Sequence, residues 1–124
     1  MLHISRRLML TGTMAITLPR SLFAQGAPAP LWKKLPTVPY KGKQDDISFV
    51  DALNGWYGNG EGKLYRTSDG GESWAKVWDQ PGTFIRALGF VDDKTGYLGN
   101  VGTDYYPGVT DKNPLYKTTD GGVT

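Results

Sequence analysis

The sequence contains no cysteine and a single histidine, His3, among its 124 residues. Zinc sites built on cysteine or histidine, Ser-His-Asp triads and Cys-His dyads are therefore excluded for the chain beyond its first residues. Without cysteine, no disulfide stabilises the fold in an oxidising compartment. Catalysis would have to use carboxylates, tyrosine or lysine, and we predict neither a bound metal nor a cofactor.

The chain also lacks a marked excess of charge of either sign, since its formal net charge is +2. Proteins that bind nucleic acids or anionic membrane surfaces usually carry a clear basic excess. After residue 24 the only arginines are Arg66 and Arg86. We therefore predict no nucleic-acid partner.

Residues 1–24 are typical of an export signal peptide. Arg6 and Arg7 give it a basic start, and a moderately apolar run follows over 8–18. That run is too short to span a bilayer, and small residues follow it at 21–26, as at a cleavage site. We expect a protein without a membrane span once the signal is removed.

The stretch from Ser5 to Leu10 resembles a twin-arginine export motif, with Met9 at a position where that family prefers phenylalanine. Arg20, just before the cleavage region, supports this interpretation, and an ordinary secretory signal is the alternative. Both interpretations predict a periplasmic or extracellular location. Residues 25–43 then form a linker and an N-terminal strand.

An internal repeat organises the rest of the chain. Residues 49–59 align with residues 90–100 at an offset of 41, with seven of the eleven positions identical or aromatic in both. Residues 64–71 align with residues 115–122 at an offset of 51, so the second unit carries an insertion at 102–114. Repeats of about 40 residues are typical of propellers and related arrays.

Each repeat unit is predicted to form four short strands. In the first unit these cover 46–50, 56–59, 63–67 and 73–78, and Gly- and Asp-rich turns separate them. Four antiparallel strands in about 40 residues make one blade of a β-propeller. The predicted fold is therefore all-β, an incomplete propeller in which residues 44–124 provide about two blades.

A strand before the first blade is predicted from a third sequence similarity, in which residues 32–35 align with residues 74–77. It would be the outer strand that closes the ring of a propeller with about four to eight blades. Because two blades cannot close a ring, we interpret the chain as a product truncated at its C-terminus. Head-to-tail self-association of several copies is the alternative.

The turn after the third strand of each unit matches the Asp-box, or BNR, repeat. The residues that carry the two matches are Thr67, Asp69, Gly71, Ser73, Trp74, Thr118, Asp120 and Gly122. We interpret both aspartates as structural, because an aspartate at a tight turn accepts hydrogen bonds from backbone N–H groups two residues on. In the Asp-box family this turn joins outer strands, away from the central axis where ligands bind.

The pattern resembles the photosystem II assembly and stability factor family (Ycf48/Hcf136-like). The residues that carry this resemblance are Trp32, Asp46 to Phe49, Gly55, Trp56 and Thr67 to Trp74. It implies a non-enzymatic propeller that binds a protein or peptide on its axial face, located in the thylakoid lumen if the source is photosynthetic. In that family a basic patch contacts an immature subunit, and Arg66 and Arg86 are the candidates here.

Four further residues are candidates for ligand contact. Tyr105 and Tyr106 lie in the insertion and could stack on a sugar or a partner's side chain, and a longer loop between the second and third strands is the alternative interpretation. Asp45 and Asp46 begin a predicted innermost strand, where side chains face the axis. A solvated strand start is the alternative interpretation for these two aspartates.

A glycoside hydrolase is the competing functional class, because sialidases and xyloglucan-cleaving enzymes also carry Asp-boxes on propellers. Such an enzyme needs two carboxylates about 5–10 Å apart. Asp45 or Asp46 could supply one, and the second would come from blades that this chain lacks. The partner would then be a carbohydrate.

Overall fold

The computed structural model describes Gly26 and residues 31–124. The predicted export signal, with Arg6 and Arg7, lies outside the described residues, and so does the linker at 27–30. The chain divides into two compact units, Met1–Lys33 and Lys34–Thr124. In the first unit, Leu31 and Trp32 are both exposed.

The second unit is built from seven strands and, within residues 34–124, no helix. The strands are β1 (Asp46–Phe49), β2 (Gly55–Gly58), β3 (Lys63–Thr67), β4 (Ala75–Asp79), β5 (Ile85–Phe90), β6 (Gly96–Asn100) and β7 (Leu115–Thr118). They form a four-stranded sheet in the order β1-β2-β3-β4 and a three-stranded sheet in the order β5-β6-β7. All strand pairs are antiparallel. This is the predicted all-β architecture of one complete blade followed by most of a second.

Tight turns fix the register of the strands. The β2–β3 turn includes Gly62 at a φ of 75°, and a Cβ there would lie 2.0 Å from the carbonyl oxygen of Gln80. A residue with a side chain would therefore clash with the backbone after β4 and would be strained at this φ. The fourth strand begins at Ala75 and not at the predicted Ser73, because Ser73 is still hydrogen-bonded within the preceding turn.

The hydrophobic core lies between the two sheets. Its buried members are Trp56, Leu64, Ile85 and Leu98. The indole of Trp56 stacks on Phe90 with ring centroids 3.7 Å apart, and its Nε1 donates a hydrogen bond of 2.8 Å to the carbonyl oxygen of Gly121. One tryptophan of the first blade therefore holds both the first strand and the Asp-box turn of the second.

The first strands of the two blades are also joined by side chains. Asp46 Oδ2 accepts a 2.7 Å hydrogen bond from the Leu88 N–H, and Ser48 Oγ accepts a 3.2 Å bond from the Phe90 N–H. Both donors belong to β5, the innermost strand of the second blade. These contacts fix β5 beside β1.

A segment before the first blade packs on the opposite face of the first sheet. The Val38 N–H donates to the Tyr57 hydroxyl at 3.2 Å, and a Cβ on Gly71 would lie 2.8 Å from Leu35 Cδ1. In the second blade, a Cβ on Gly122 would meet Leu64 and Val77 in the same way. Residues 31–45 form no strand here, so the ring-closing strand stays a prediction.

The insertion joins β6 to β7 and is anchored by one carboxylate. Asp111 Oδ2 accepts hydrogen bonds from Thr83 Oγ1 at 2.6 Å, the Tyr116 hydroxyl at 2.7 Å and Gln80 Nε2 at 3.2 Å. Burial would raise the pKa of Asp111, but these hydrogen bonds together hold that pKa below its usual value. The insertion is thus fastened to both blades.

Candidate functional site

The first Asp-box uses its aspartate entirely within the turn. Asp69 Oδ1 accepts from Thr67 Oγ1 at 2.7 Å and from the Ser73 N–H at 2.9 Å, and Asp69 Oδ2 accepts from Ser73 Oγ at 2.5 Å. These bonds, the Ser73 side chain first, lower the pKa of Asp69 to about 2. The carboxylate is occupied on both oxygens by its own turn.

The other residues of the first Asp-box position the Trp74 ring against the first sheet. The Gly71 N–H donates to Thr67 Oγ1 at 2.9 Å, and Trp74 Nε1 donates to the Gly71 carbonyl oxygen at 3.1 Å. The Trp74 ring then packs edge-on against Tyr57, with centroids 4.8 Å apart. This arrangement joins the box to the sheet face that the segment with Val38 also covers.

The second box repeats the hydrogen-bond pattern of the first. Asp120 accepts from Thr118 Oγ1 at 2.7 Å and from Thr124 Oγ1 at 2.5 Å, and the Gly122 N–H donates to Thr118 Oγ1 at 3.0 Å. The Thr124 side chain first, and then Thr118, hold the pKa of Asp120 far below its usual value. Both boxes are turns with satisfied carboxylates.

A cleft of about 240 Å³, here called the Arg86 cleft, opens where the insertion meets the starts of β1 and β5. Three kinds of side chain line it: charged, aromatic and aliphatic. They are Lys43, Asp45, Phe84, Arg86, Val101, Tyr105 and Tyr106. Four of the six predicted binding candidates, Asp45, Arg86, Tyr105 and Tyr106, therefore share one cleft.

An ion-pair network forms the charged wall of the Arg86 cleft. Asp45 Oδ1 lies 2.7 Å from Arg86 Nη1 and 3.3 Å from Lys43 Nζ. The Asp45 side chain is only 6% exposed, whereas that of Arg86 is 49% exposed. Asp45 Oδ2 is buried and has no hydrogen-bond partner. Asp45 is thus a buried, paired carboxylate, which differs from the solvated strand start that was the alternative expectation.

The aromatic wall comes from the insertion. The Tyr106 ring packs on Phe84 with centroids 4.7 Å apart, and Tyr105 remains 76% exposed. The Val101 N–H donates to the Phe84 carbonyl oxygen at 3.1 Å, which holds the start of the insertion against the start of β5. An exposed tyrosine beside a half-exposed arginine offers a stacking surface and free donors in one place.

The remaining two candidates lie elsewhere. Asp46 lines none of the Arg86 cleft, and its carboxylate holds the N–H groups of Leu88 and Ile47. Arg66 lies over the Trp56 ring, with its guanidinium carbon 5.2 Å from the ring centroid, and its Nε has no hydrogen-bond partner. Both residues therefore make contacts within and between the blades.

Sequence reasoning missed Lys43, Phe84 and Val101 as lining residues of the Arg86 cleft. Lys43 lies in an irregular segment with no motif, so nothing in the sequence marks it. Phe84 is an aromatic residue directly before β5, so its sequence position predicts only a core residue, and it is indeed 2% exposed. Both enter the cleft only through long-range packing.

Tyr106 also lines a second cleft, of about 440 Å³. Tyr40, Glu61 and Lys63 line it, and Lys63 Nζ lies 2.7 Å from Glu61 Oε2. Burial first, and then the negative charge of Glu61, raise the pKa of the Tyr40 hydroxyl. Tyr106 thus lines both this cleft and the Arg86 cleft.

Within the described part of the chain, no group of three or more histidine, cysteine, aspartate or glutamate side chains could hold a metal ion. Among the same residues, none forms a helix of the length and apolar character needed to cross a membrane.

Comparisons with known proteins agree with the fold and the repeat. A solved structure of YCF48 bound to a D1 peptide superposes with a TM-score of 0.51 at 27% identity, over 74% of this chain and 27% of that one. The chain is similar to YCF48. The photosystem II stability/assembly factor HCF136, chloroplastic, of Arabidopsis thaliana is 40% identical over 60 residues, which is 46% of this chain and 15% of that protein.

A xyloglucanase is also similar to part of the chain. Xyloglucanase Xgh74A of Acetivibrio thermocellus is 37% identical over 83 residues, 54% of this chain and 10% of the enzyme. No family model matches the chain. The chain spans between a tenth and about a quarter of the length of these relatives.

Proposed function

We propose that this chain belongs to an exported, non-enzymatic β-propeller that binds a protein or peptide and acts in the assembly or stability of its partner. The observation that carries the proposal is the Arg86 cleft, where an exposed tyrosine and a half-exposed arginine flank a buried carboxylate. Tyrosine and arginine, together with tryptophan, are enriched at the energetic centre of protein interfaces.

The position of the cleft supports this function. It lies at the starts of β1 and β5, the first strand of each sheet, and these two strands are held side by side. The blades of a propeller surround a central channel, and their first strands line it. A partner at the Arg86 cleft would thus contact two blades and the insertion together.

The relationship to YCF48 supports a peptide partner. The solved YCF48 structure contains a D1 peptide, and HCF136 is named as a stability and assembly factor. Assignment of the same role to this chain is our proposal, as is export through the twin-arginine-like signal at Ser5 to Leu10. A periplasmic or extracellular location would follow from that signal.

Peptide binding can be tested on an array of random twelve-residue peptides probed with the purified chain. The best binders would then be measured by fluorescence anisotropy with the wild type, Arg86→Gln, Tyr105→Ala and the control Asp104→Asn. We expect Arg86→Gln and Tyr105→Ala to weaken binding by about tenfold each, as for residues central to an interface. Asp104 is exposed and lies outside the cleft lining, so its variant should bind like the wild type.

Glycoside hydrolysis is the second candidate, because the xyloglucanase match is of similar strength over a longer stretch. Incubation of the chain with xyloglucan and measurement of released reducing ends tests it directly. Turnover that disappears in Asp45→Ala would replace peptide binding as the function. Our proposal would also be contradicted if the array peptides bound Arg86→Gln and Tyr105→Ala as tightly as they bind the wild type.

A further inference from the structure

The larger of the two clefts that Tyr106 lines has no part in the proposed function. It is formed where the β2–β3 turn, the β4–β5 connection and the insertion meet, and its volume is about 440 Å³. That volume lies in the usual range for small-molecule sites. We call it the Tyr40 cleft, and the side chains that give it its chemistry are Tyr40, Glu61, Lys63, Asp79 and Tyr106.

The loops around the Tyr40 cleft are held in place by hydrogen bonds. Asn59 Oδ1 accepts from the N–H groups of Glu61 and Lys63 at 3.0 and 3.2 Å, which fixes the β2–β3 turn. The Thr110 N–H donates to the Gly82 carbonyl oxygen at 2.9 Å, which joins the insertion to the β4–β5 connection. A preformed cleft binds its ligand without the entropy cost of ordering loops.

The charges that line the Tyr40 cleft are balanced within the protein. Lys63 Nζ lies 2.7 Å from Glu61 Oε2, and Asp79 forms an ion pair with Lys76. A charged ligand would have to compete with a partner in one of these pairs, whereas an uncharged ligand would not. The charge balance therefore favours a neutral ligand.

The Lys63–Glu61 pair is within reach of such a ligand. The Glu61 side chain is 51% exposed and that of Lys63 is 33% exposed. The carboxylate only accepts hydrogen bonds and the ammonium group only donates them, so acceptor and donor lie side by side. A hydroxyl group does both, and can donate to Glu61 while it accepts from Lys63. A ligand with many hydroxyls matches this pair.

Two tyrosines supply the apolar part of the Tyr40 cleft. Tyr40 comes from the segment before β1 and Tyr106 from the insertion, and Tyr106 remains partly exposed although its ring packs on Phe84. An aromatic ring offers a flat apolar face. In β-linked glucose the ring hydroxyls are all equatorial, so the two faces of the sugar carry C–H groups and its edge carries the hydroxyls. Such a ring fits a flat apolar wall next to a polar one.

We propose that the Tyr40 cleft binds a neutral, β-linked saccharide without cleaving it. A sugar ring packs its C–H face on Tyr40 and Tyr106, and its hydroxyls bind Glu61 and Lys63. Both carboxylates of the cleft are paired with a lysine, whereas glycoside hydrolysis needs one carboxylic acid that keeps its proton. This site is additional to peptide binding at the Arg86 cleft and does not depend on it.

Titration with cellotetraose, a neutral oligosaccharide of β-linked glucose, tests the polar contact. It is added to the ¹⁵N-labelled full chain, and the NMR shifts of the amides at Glu61, Lys63 and Tyr106 are followed. We expect saturable shifts there, and a Kd that rises about threefold to tenfold in Glu61→Gln, because the acceptor loses its charge. Glu72→Gln is the matched control, since Glu72 lies in the first Asp-box turn and lines none of the cleft. Its Kd should equal that of the wild type.

Two further comparisons test the stacking and the charge arguments. Tyr40→Ala should weaken binding by about tenfold, while Tyr40→Phe keeps the ring and should keep most of the affinity. Tyr97→Ala is the control, because Tyr97 is a partly exposed tyrosine outside the cleft, and it should bind like the wild type. Cellotetraose whose hydroxymethyl groups are oxidised to carboxylates should bind the wild type more weakly than cellotetraose itself, a result that needs no variant to fold.

Several results would overturn the inference. They are the absence of saturable shifts up to about 10 mM cellotetraose, shifts at Arg86 and Tyr105 in place of the Tyr40 cleft, equal affinities of Glu61→Gln and the wild type, and tighter binding of the oxidised sugar. A proline-rich peptide that shifts the same amides when cellotetraose does not would assign the cleft to a peptide. Release of reducing ends from cellotetraose, lost in Glu61→Gln, would contradict binding without cleavage. Each of these results leaves peptide binding at the Arg86 cleft to its own test.

Discussion

The two blades present the same surface to two different environments. Trp56 and Arg66 of the first blade correspond to Tyr97 and Lys117 of the second, and in each pair the cation lies over the ring. Trp56 is fully buried against the second blade, whereas Tyr97 is 41% exposed. The repeat therefore conserves the side-chain arrangement of the surface, and only a neighbouring blade turns that arrangement into a core.

The comparison also explains which apolar residues are exposed. Leu64 is 3% exposed and packs by the second Asp-box turn, while its counterpart Leu115 is 64% exposed. Phe90 stacks on Trp56, while its counterpart Phe49 is 42% exposed. Burial here depends on the position of a blade within the array, because each blade contributes half of each interface.

The largest expected effect is that of removing the inter-blade tryptophan. Trp56→Ala leaves a cavity between the sheets and removes the hydrogen bond to Gly121, so it should lower the free energy of unfolding by about 3–5 kcal/mol. Tyr97→Ala, the matched change on the exposed face, should cost less than about 1 kcal/mol. Urea unfolding followed by tryptophan fluorescence and circular dichroism measures both, and equal losses would show that the two faces do not differ as described.

A smaller difference is expected for the cations over these rings. Arg66→Ala removes a cation–π contact and its packing over a buried ring, and should cost about 1 kcal/mol. Lys117 is exposed and lies 5.9 Å from the centroid of a partly exposed ring, so Lys117→Ala should be close to neutral. The urea midpoints of the two variants test this, and a larger loss for Lys117→Ala would contradict it.

The smallest effect distinguishes the Asp-boxes by pH. The pKa of Asp69 is lowered to about 2, below the value of about 3.9 for an unfolded aspartate. A depressed folded pKa gives stability that is fully present above about pH 4 and is lost as the pH falls through about 2. The melting temperature should therefore fall from pH 5 to pH 2, and Asp69→Asn should make that fall shallower.

Asp104→Asn provides the control for the acid titration, because Asp104 is exposed and outside both boxes. Its melting curve should follow the wild type across the same range. The pKa of Asp120 is lowered in the same direction as that of Asp69, so Asp69→Asn should leave part of the acid sensitivity in place. An Asp69→Asn variant with the full wild-type dependence would mean that the first box gains nothing from its charge.

Much of the fold could be predicted because its signals are local. The strands follow from Asp-Gly and Gly-rich turns separated by β-branched and aromatic residues. The insertion follows from the change in the offset between the two repeats, from 41 to 51. The start of β4 was predicted two residues early, because Ser73 has strand-like neighbours but is held by Asp69. Turn hydrogen bonds decided that boundary, and the alternation pattern does not show them.

The site could be predicted only in part. Tyr105 and Tyr106 stood out because no repeat explained them, and Asp45 because it preceded an innermost strand. Nothing in the sequence pairs Asp45 with Arg86, which is 41 positions away, since this contact requires β1 and β5 to lie side by side. Arg66 was grouped with Arg86 because both are scarce arginines, yet its guanidinium lies over the ring of a core tryptophan.

The anchoring of the insertion by Asp111 has a consequence for how such a blade can change. The bonds from Thr83, Gln80 and Tyr116 all converge on Asp111 near the end of the insertion, while Tyr106 packs on Phe84 and Tyr105 is 76% exposed. New tip sequences could be exchanged there during evolution, or grafted by design, while the scaffold beneath stays the same. A chain built this way can change the exposed residues around Tyr105 while Tyr106 keeps the loop packed on Phe84.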